Sequence, residues 1–503
     1  MKKWIILSSF FYLIALASFA QPMAMPGTGL QMDDEAYGEM DLLQADGNKV
    51  NLPPEASLYA FTPRPRNQGR SQSCVGWAVG YSALTIEQAI HHQLNNRDRI
   101  TEYAFSAMYV YNQIRTGDCR YEGSRITDAL RFLEQEGNVL ARQFDHNVED
   151  CGRQPNTQLQ QYAAQFRITD HLRLFPVDES PQQKIFKVKY ALSRQKPVII
   201  GMRIRKNFFQ LDRNAKFWWP NIGDQTPAGG HAMTVVAYDD RRDAFLLMNS
   251  WGEKWGLGGF MWVKYQVFAE YCKYAFILQV EEDLRFFWEG AHEAEAPAAM
   301  VRAQTPAHPL RQMAGHFQFK FNPEINAYSP FFESAAVESR GFYYRLQRQD
   351  WPVGQQFQLE VDNLERNSYV YVFSVNSNGQ VYIHWPRQEA LNPHFRGERQ
   401  SALSLDQQQK IYVPGENRAL KISSPGRDHL VILFSKKPLS GLPNLLGQLK
   451  GSQQALPQQL LSILEPFMVP LADIAYAKDE VAFSVRTRSE GMVVPLIIEV
   501  NSQ

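Results

Sequence analysis

Three short blocks, far apart in the chain, constrain the fold most. The first is Asn67-Gln68-Gly69-Arg70-Ser71-Gln72-Ser73-Cys74-Val75-Gly76-Trp77-Ala78. The second is Gly229-Gly230-His231-Ala232-Met233. The third is Met248-Asn249-Ser250-Trp251-Gly252-Glu253-Lys254-Trp255-Gly256. Cys74 opens a stretch in which Val75, Val79, Leu84, Ile86, Ile90 and Leu94 recur near helical spacing. The unpaired N–H groups of a helix start favour a thiolate over a thiol, and a thiolate is a nucleophile. His231 can serve as its ion-pair partner and later protonate a leaving amine. Asn249 can accept from the other imidazole N–H and hold the ring in one tautomer. A fold that serves this chemistry must bring the three blocks to one place. Taken singly, the same residues have plainer uses: a lone cysteine is more often a small buried hydrophobe, a lone histidine structural, an asparagine a turn cap.

Other residues of the blocks fit the same chemistry. The Gln68 side-chain amide and the Cys74 backbone N–H can both donate to a developing oxyanion. Trp251, beside Asn249, can shield the His231–Asn249 hydrogen bond from water. Gly229 and Gly230 allow close backbone approach just before His231. The sequence contains no P-loop, HExxH or dinucleotide fingerprint, and neither a metal nor a cofactor is expected.

The chain has 503 residues, which suggests two to four domains at about 100–200 residues each. Lys+Arg and Asp+Glu both total 52, so the net charge is zero and no nucleic-acid partner is expected. Hydrophobic residues make up 44% and charged residues 21%, the range of a folded protein. Four cysteines are too few for a disulfide-stapled scaffold. Met1-Lys2-Lys3, the apolar run Trp4 to Leu16, and Ser18-Phe19-Ala20 have the layout of a secretory signal peptide over residues 1–20. The apolar run is short for a membrane span and no later one is long enough, so no transmembrane segment is expected. The expected location is periplasmic or extracellular, where disulfides are permitted.

Residues 21–54 are rich in Met, Gly, Asp and Pro, lack periodicity, and read as a loosely ordered leader. Within 55–284 the helix signals come first and the strand signals later, an α+β arrangement. Residues 285–312 are Ala- and Pro-rich and read as a linker; the plainer reading is a surface loop. In 313–503 strand signals dominate, with a hairpin turn at Ser377-Asn378-Gly379-Gln380. That segment reads as an all-β, sandwich-like domain, with an added helix within Gly441 to Leu464.

The Gln-Gly-x-x-x-Ser-Cys stretch, the Gly-His-Ala step and Asn-Ser-Trp-Gly-x-x-Trp-Gly together resemble the papain-like cysteine peptidases, over about Ala56 to Val280. The resemblance implies a two-lobed fold, with a helical lobe, a β-barrel-like lobe and a cleft between them. It implies an endopeptidase that hydrolyses peptide bonds through a thioester, acting on peptide or protein substrates. Cys74 takes the role of nucleophile, His231 of general base, Asn249 of orienting residue and Gln68 of oxyanion donor. Two departures stand out: Val75-Gly76-Trp77 follows the cysteine where an aromatic is common, and Ser71 occupies a structural-cysteine position. The long Cys74-to-His231 separation suggests an insertion, for which Lys206 to Thr226 is the candidate. The resemblance further implies a disulfide between Cys119 and Cys151, with a typical contribution of about 2–4 kcal/mol. It also places Gly123, Ser124 and Gly230 along the substrate backbone. Cys272 is then an odd thiol.

The C-terminal half resembles a bacterial domain family of unassigned function. Tyr369 to Val375, Gly379, Trp385-Pro386, Ile411 to Pro414, Pro425-Gly426 and Lys436 to Leu439 carry that likeness. It reads as a module for a cell-surface or protein ligand, or as a stabilising appendage. Two other functions stay in view: a catalytically silent papain-like binding protein, and an acyl transferase or amidase acting on cell-wall peptides. The complete set of Gln68, Cys74, His231 and Asn249 argues against the first. This division of the cysteines predicts two free thiols, Cys74 and Cys272, in the non-reduced protein. Thiol titration checks it, and a count of four would remove the bridge.

Overall fold

The computed structural model describes residues 26–503 apart from 45–50, 119–120, 145–150, 281–309, 324–331, 363–364, 388–399, 406–409, 416–417, 440 and 450–454. The expected signal peptide, Cys119 and most of the expected linker lie outside the described residues.

A helical run begins at Cys74. It is α-helical over Cys74–Gly76, π-helical over Trp77–Ala83 and α-helical again over Leu84–His91. Every residue from Cys74 to Ala89 is buried, so this central helix is surrounded by protein on all faces. The widened π turn lies directly behind the cysteine, in the kind of place where such turns collect. The helix Ala107–Ile114 packs beside it and starts at Ser106, whose side chain accepts from the Tyr109 N–H. Contact between the two is close: a Cβ on Gly76 would sit 2.4 Å from the Ala107 carbonyl oxygen. The helix Ile126–Gln135 buries Ile126, Ala129, Leu130 and Leu133 along one face.

Seven strands form the second lobe: β1 (Glu55–Ser57), β2 (Ile168–Arg173), β3 (Val198–Arg205), β4 (Pro227–Asp239), β5 (Ala244–Met248), β6 (Phe260–Lys264) and β7 (Cys272–Val280). Their order is β2-β7-β3-β4-β5-β6, with β1 also on β4, and all pairs are antiparallel. β4 lies against the central helix, and the Thr234 hydroxyl donates to the Ala78 carbonyl at 3.1 Å. The helical half and the sheet half thus meet along β4. The expected insertion forms a loop between β3 and β4. Its neck is closed by Lys206 N–H to Thr226 O (2.9 Å) and Asn207 N–H to Asp224 O (2.8 Å).

Residues 310–503 build two seven-stranded sheets over a shared core. One sheet has Gly426–Ser435 paired with Val493–Ser502 and with Ser368–Val375. The other has Arg311–Phe321 paired with Gln356–Asp362 and Val481–Thr487. Val370, Val372, Leu430, Ile432 and Phe434 of the first meet Phe317, Phe319, Leu359 and Phe483 of the second. On the reverse face of the first sheet, Tyr369, Tyr371 and Phe373 lie in one cluster with Leu172 and Leu174 of the other half and with Leu442 and Leu460. Those two leucines belong to the helices Leu442–Gly447 and Leu456–Leu464.

The leader departs from its expected looseness. Residues 26–44 are packed, with Leu30, Tyr37, Met40, Leu42 and Leu43 buried and a short helix at Asp34–Gly38 capped by the Asp33 side chain. The missing periodicity has a physical reason. This segment pairs by backbone and single anchor side chains, not by a repeating apolar face.

Cys74 and Cys272 are free and buried, so the two-thiol count is made in denaturant without reductant. Gly76→Val should lower unfolding stability by roughly 1–3 kcal/mol, the usual cost of overpacking. A denaturant melt with an unchanged midpoint would contradict the close helix contact.

Candidate active site

Cys74 is the first residue of the central helix, and the Ala232 N–H of β4 donates to its Sγ at 3.4 Å. His231, one residue earlier on β4, therefore lies beside it. Nε2 of His231 meets Asn249 Oδ1 at 2.7 Å. A carboxamide oxygen only accepts, so Nε2 carries the proton and Nδ1 is the bare nitrogen. Nδ1 is buried and has no hydrogen-bond partner. The Trp251 ring stacks on the imidazole, with centroids 4.6 Å apart and planes 23° apart. The Asn249–His231 bond thus lies under an indole that is itself buried.

Gln68 is fully buried. Its Oε1 accepts from the Ser250 hydroxyl at 2.5 Å, and its Nε2 donates one N–H to the Ser71 carbonyl at 2.9 Å. These bonds fix which way the amide faces and leave its second N–H for another acceptor. The Gln68 N–H also donates to Ser250 O at 2.8 Å. Cys74, His231, Asn249, Gln68 and Trp251 are therefore gathered in one place. Ser250 was overlooked in the sequence, although it sits in the Asn249-Ser250-Trp251 block. The insertion also contributes: Phe208 and Phe209 pack on Trp251 at centroid distances of 5.6 and 5.0 Å. Nothing in the spacing of that aromatic loop pointed to Trp251.

Gly123, Ser124 and Gly230 line a cleft that the leader fills. Leu30 N–H donates to Gly230 O (3.2 Å), Gln31 N–H to Ser124 O (3.0 Å) and Ser124 N–H to Gly29 O (2.9 Å). Trp251 Nε1 donates to the Gly27 carbonyl at 3.2 Å. The approach at Gly123 is so close that a Cβ there would lie 1.7 Å from Gly29 O. The Leu30 side chain lies over Gly201, where a Cβ would sit 3.0 Å from it, and shares a cluster with Cys74, Ala232 and Tyr274. Beneath this strap Cys74 and His231 are both 0% exposed. Burial pushes the Cys74 thiol up to about 12, against the smaller lowering effect of the Ala232, Val75 and Cys74 N–H groups. Burial pulls His231 down to about 4, with the Asn249 bond acting in the opposite direction. Burial favours the neutral form of both groups, whereas the helix start alone suggested a thiolate. Desolvation outweighs the helix-start amides here.

Cys272 stands on β7 opposite Met202, which in turn stands opposite His231, and its Sγ donates to Tyr274 O at 3.3 Å. The expected Cys119–Cys151 pairing involves a residue outside the described ones. No helix among the described residues is long and apolar enough to cross a membrane.

A family model described as papain family cysteine protease matches residues 60–276. An uncharacterized peptidase C1-like protein of Acanthamoeba polyphaga mimivirus is 22% identical over 207 residues, 41% of this chain and 65% of that protein. A cysteine protease of Blomia tropicalis is 24% identical over 208 residues, 40% of this chain and 57% of that one. The match thus spans about three fifths of the length of these curated relatives. Among solved structures, xylellain, a cysteine protease from Xylella fastidiosa, is 20% identical with a TM-score of 0.42, covering 51% of this chain and 98% of its own. The procathepsin B of Trypanosoma congolense is 13% identical with a TM-score of 0.39, covering 51% and 87%. Residues 60–276 are a cysteine protease domain of the papain family.

Proposed function

We propose that residues 55–284 act as an exported endopeptidase, with Cys74 as nucleophile and His231 as its acid–base partner. The observation that carries this reading is the imidazole itself: Asn249 fixes its Nε2 proton, Trp251 covers the bond, and the buried Nδ1 is left without a hydrogen-bond partner, one residue before the Ala232 whose N–H reaches Cys74 Sγ. Once substrate replaces the leader, Nδ1 takes the thiol proton and Sγ attacks the peptide carbonyl. The oxygen takes up the negative charge and is held by the free N–H of Gln68 and the Cys74 backbone N–H. The C–N bond then breaks as the imidazolium returns its proton to the departing amine, leaving a thioester. Water, deprotonated by His231, releases the acid and restores the thiol. Ser250 acts as a positioning residue by holding the Gln68 amide in register. Residues 285–312 serve as a linker and 313–503 as an accessory β-domain, on this reading, and export follows from residues 1–20.

An irreversible epoxide inhibitor of thiol peptidases, followed by mapping of the adduct, tests the nucleophile. Labelling belongs at Cys74. No adduct there, together with no turnover of unfolded protein by the wild type or by a leader-displaced variant, would sink the peptidase reading. Cys74→Ala and His231→Ala should abolish turnover without unfolding the chain, while Asn249→Ala leaves partial activity. Ser250→Ala should lower kcat about tenfold, as loss of one oriented hydrogen bond implies, with KM nearly unchanged. A rise in KM at constant kcat would remove Ser250 from the positioning role.

A further inference from the structure

The leader does not end in the cleft. Past the strap, Asp33 pairs with Arg125 (2.7 Å). Asp34 bonds Lys273 and Tyr274. The fully buried Tyr37 stacks on Tyr274 (centroids 4.5 Å) and donates to Phe175 O at 2.5 Å. The chain then reaches β2, the edge strand of the protease sheet. There Arg173 N–H donates to Asp41 O and Leu43 N–H to Arg173 O, both at 2.9 Å. On its other side the same stretch meets the C-terminal half: Ser401 N–H donates to Leu42 O at 3.1 Å, and Leu42 bridges Gln400 as well as Arg173. Two residues on, Leu403–Ser404 pairs with Ser368–Val375 of the C-terminal sheet. Leu43, 2% exposed, lies in the cluster shared by Leu172, Tyr369, Ala402 and Leu403.

From this we infer that the C-terminal β-domain is a latch: by pairing Ser401 with Leu42 it holds the leader strap in the active-site cleft. The inference rests on the peptidase reading above. Its physical basis is differential contact. With the strap seated, the Ser401 N–H, in a residue only 3% exposed, has a partner and Leu43 has a pocket. With the strap withdrawn, the Ser401 N–H loses this partner and the apolar slot around Leu43 is emptied, which disfavours the open state. The short helix Asp34–Gly38 and its anchors join the latched end to the blocking end, so slackening one slackens the other. A partner that draws the C-terminal domain away from Leu42 would therefore open the cleft without touching it.

The rate of epoxide labelling at Cys74 in the full-length chain reads the strap directly. Ser401→Pro removes the N–H that grips Leu42, and Leu42→Asp disrupts the same contact from the leader side. Leu30→Asp is the control that unseats the strap within the cleft. Cooperative melts show which variants are folded, and either latch variant suffices if the other fails to fold. Both latch variants should label roughly tenfold faster than wild type, the effect of one buried hydrogen bond. Wild-type rates for folded Ser401→Pro or Leu42→Asp, with fast labelling of Leu30→Asp, would overturn the latch and leave the peptidase reading intact. Absence of labelling in every variant, Leu30→Asp included, would overturn both.

Discussion

The Asn67–Gln68 stretch and the Ser250–Trp251 stretch lie side by side, with Gln68 N–H on Ser250 O and Asn67 bridged to Trp251. The first stretch leads directly to Cys74, and the second follows Asn249, whose Oδ1 holds the His231 imidazole. Gly252 N–H, bonded to Arg66 O at 3.1 Å, extends the join by one step. The site depends on this pairing because its members come from opposite halves of the domain. A slip of one residue would turn the Gln68 side chain away from Ser250 and carry the Cys74 helix start out of line with β4. The second fastening, Ala232 N–H to Cys74 Sγ, then sets the distance between the thiol and the strand that bears His231.

What the sequence made legible was chemistry concentrated in contiguous blocks. Asn249 and Trp251 fall in one block of the chain and meet His231 together, and Gln68 and Cys74 fall six residues apart in another. The strands Ser368–Val375 and Val381–Trp385 were also readable, because β-branched and aromatic runs flank an Asn-Gly turn. Contacts that depend on tertiary placement were hidden. Phe208 and Phe209 read as part of an aromatic insertion, and only the closing of the β3–β4 loop puts them behind Trp251. The leader escaped for a related reason. Its bonds are made by backbone amides, which every residue has, so no side-chain pattern announces them. The charge state of Cys74 escaped as well, since a helix start can be read from sequence but the burial that opposes it cannot.

The strand Ser368–Val375 shows why the two halves of the chain are difficult to treat apart. An isolated sandwich strand alternates between a buried and a wet face. Here Val370 and Val372 face the sandwich core, while Tyr369, Tyr371 and Phe373 share a cluster with protease residues and with the helices near the C-terminus. Aromatic side chains on that second face suit a surface that stays covered, because they bring large apolar area to the contact. The accessory domain is built with its protease-facing side already apolar.

The strap over Cys74 has a consequence for the chemistry of the sulfur itself. Oxidants attack a thiolate far faster than a thiol, and they need access to the sulfur. Under the leader the sulfur has no solvent contact, and burial favours its protonated form. The same cover that buries the Cys74 sulfur keeps it from contact with peroxide and with other thiols, so its oxidation requires the leader to move first.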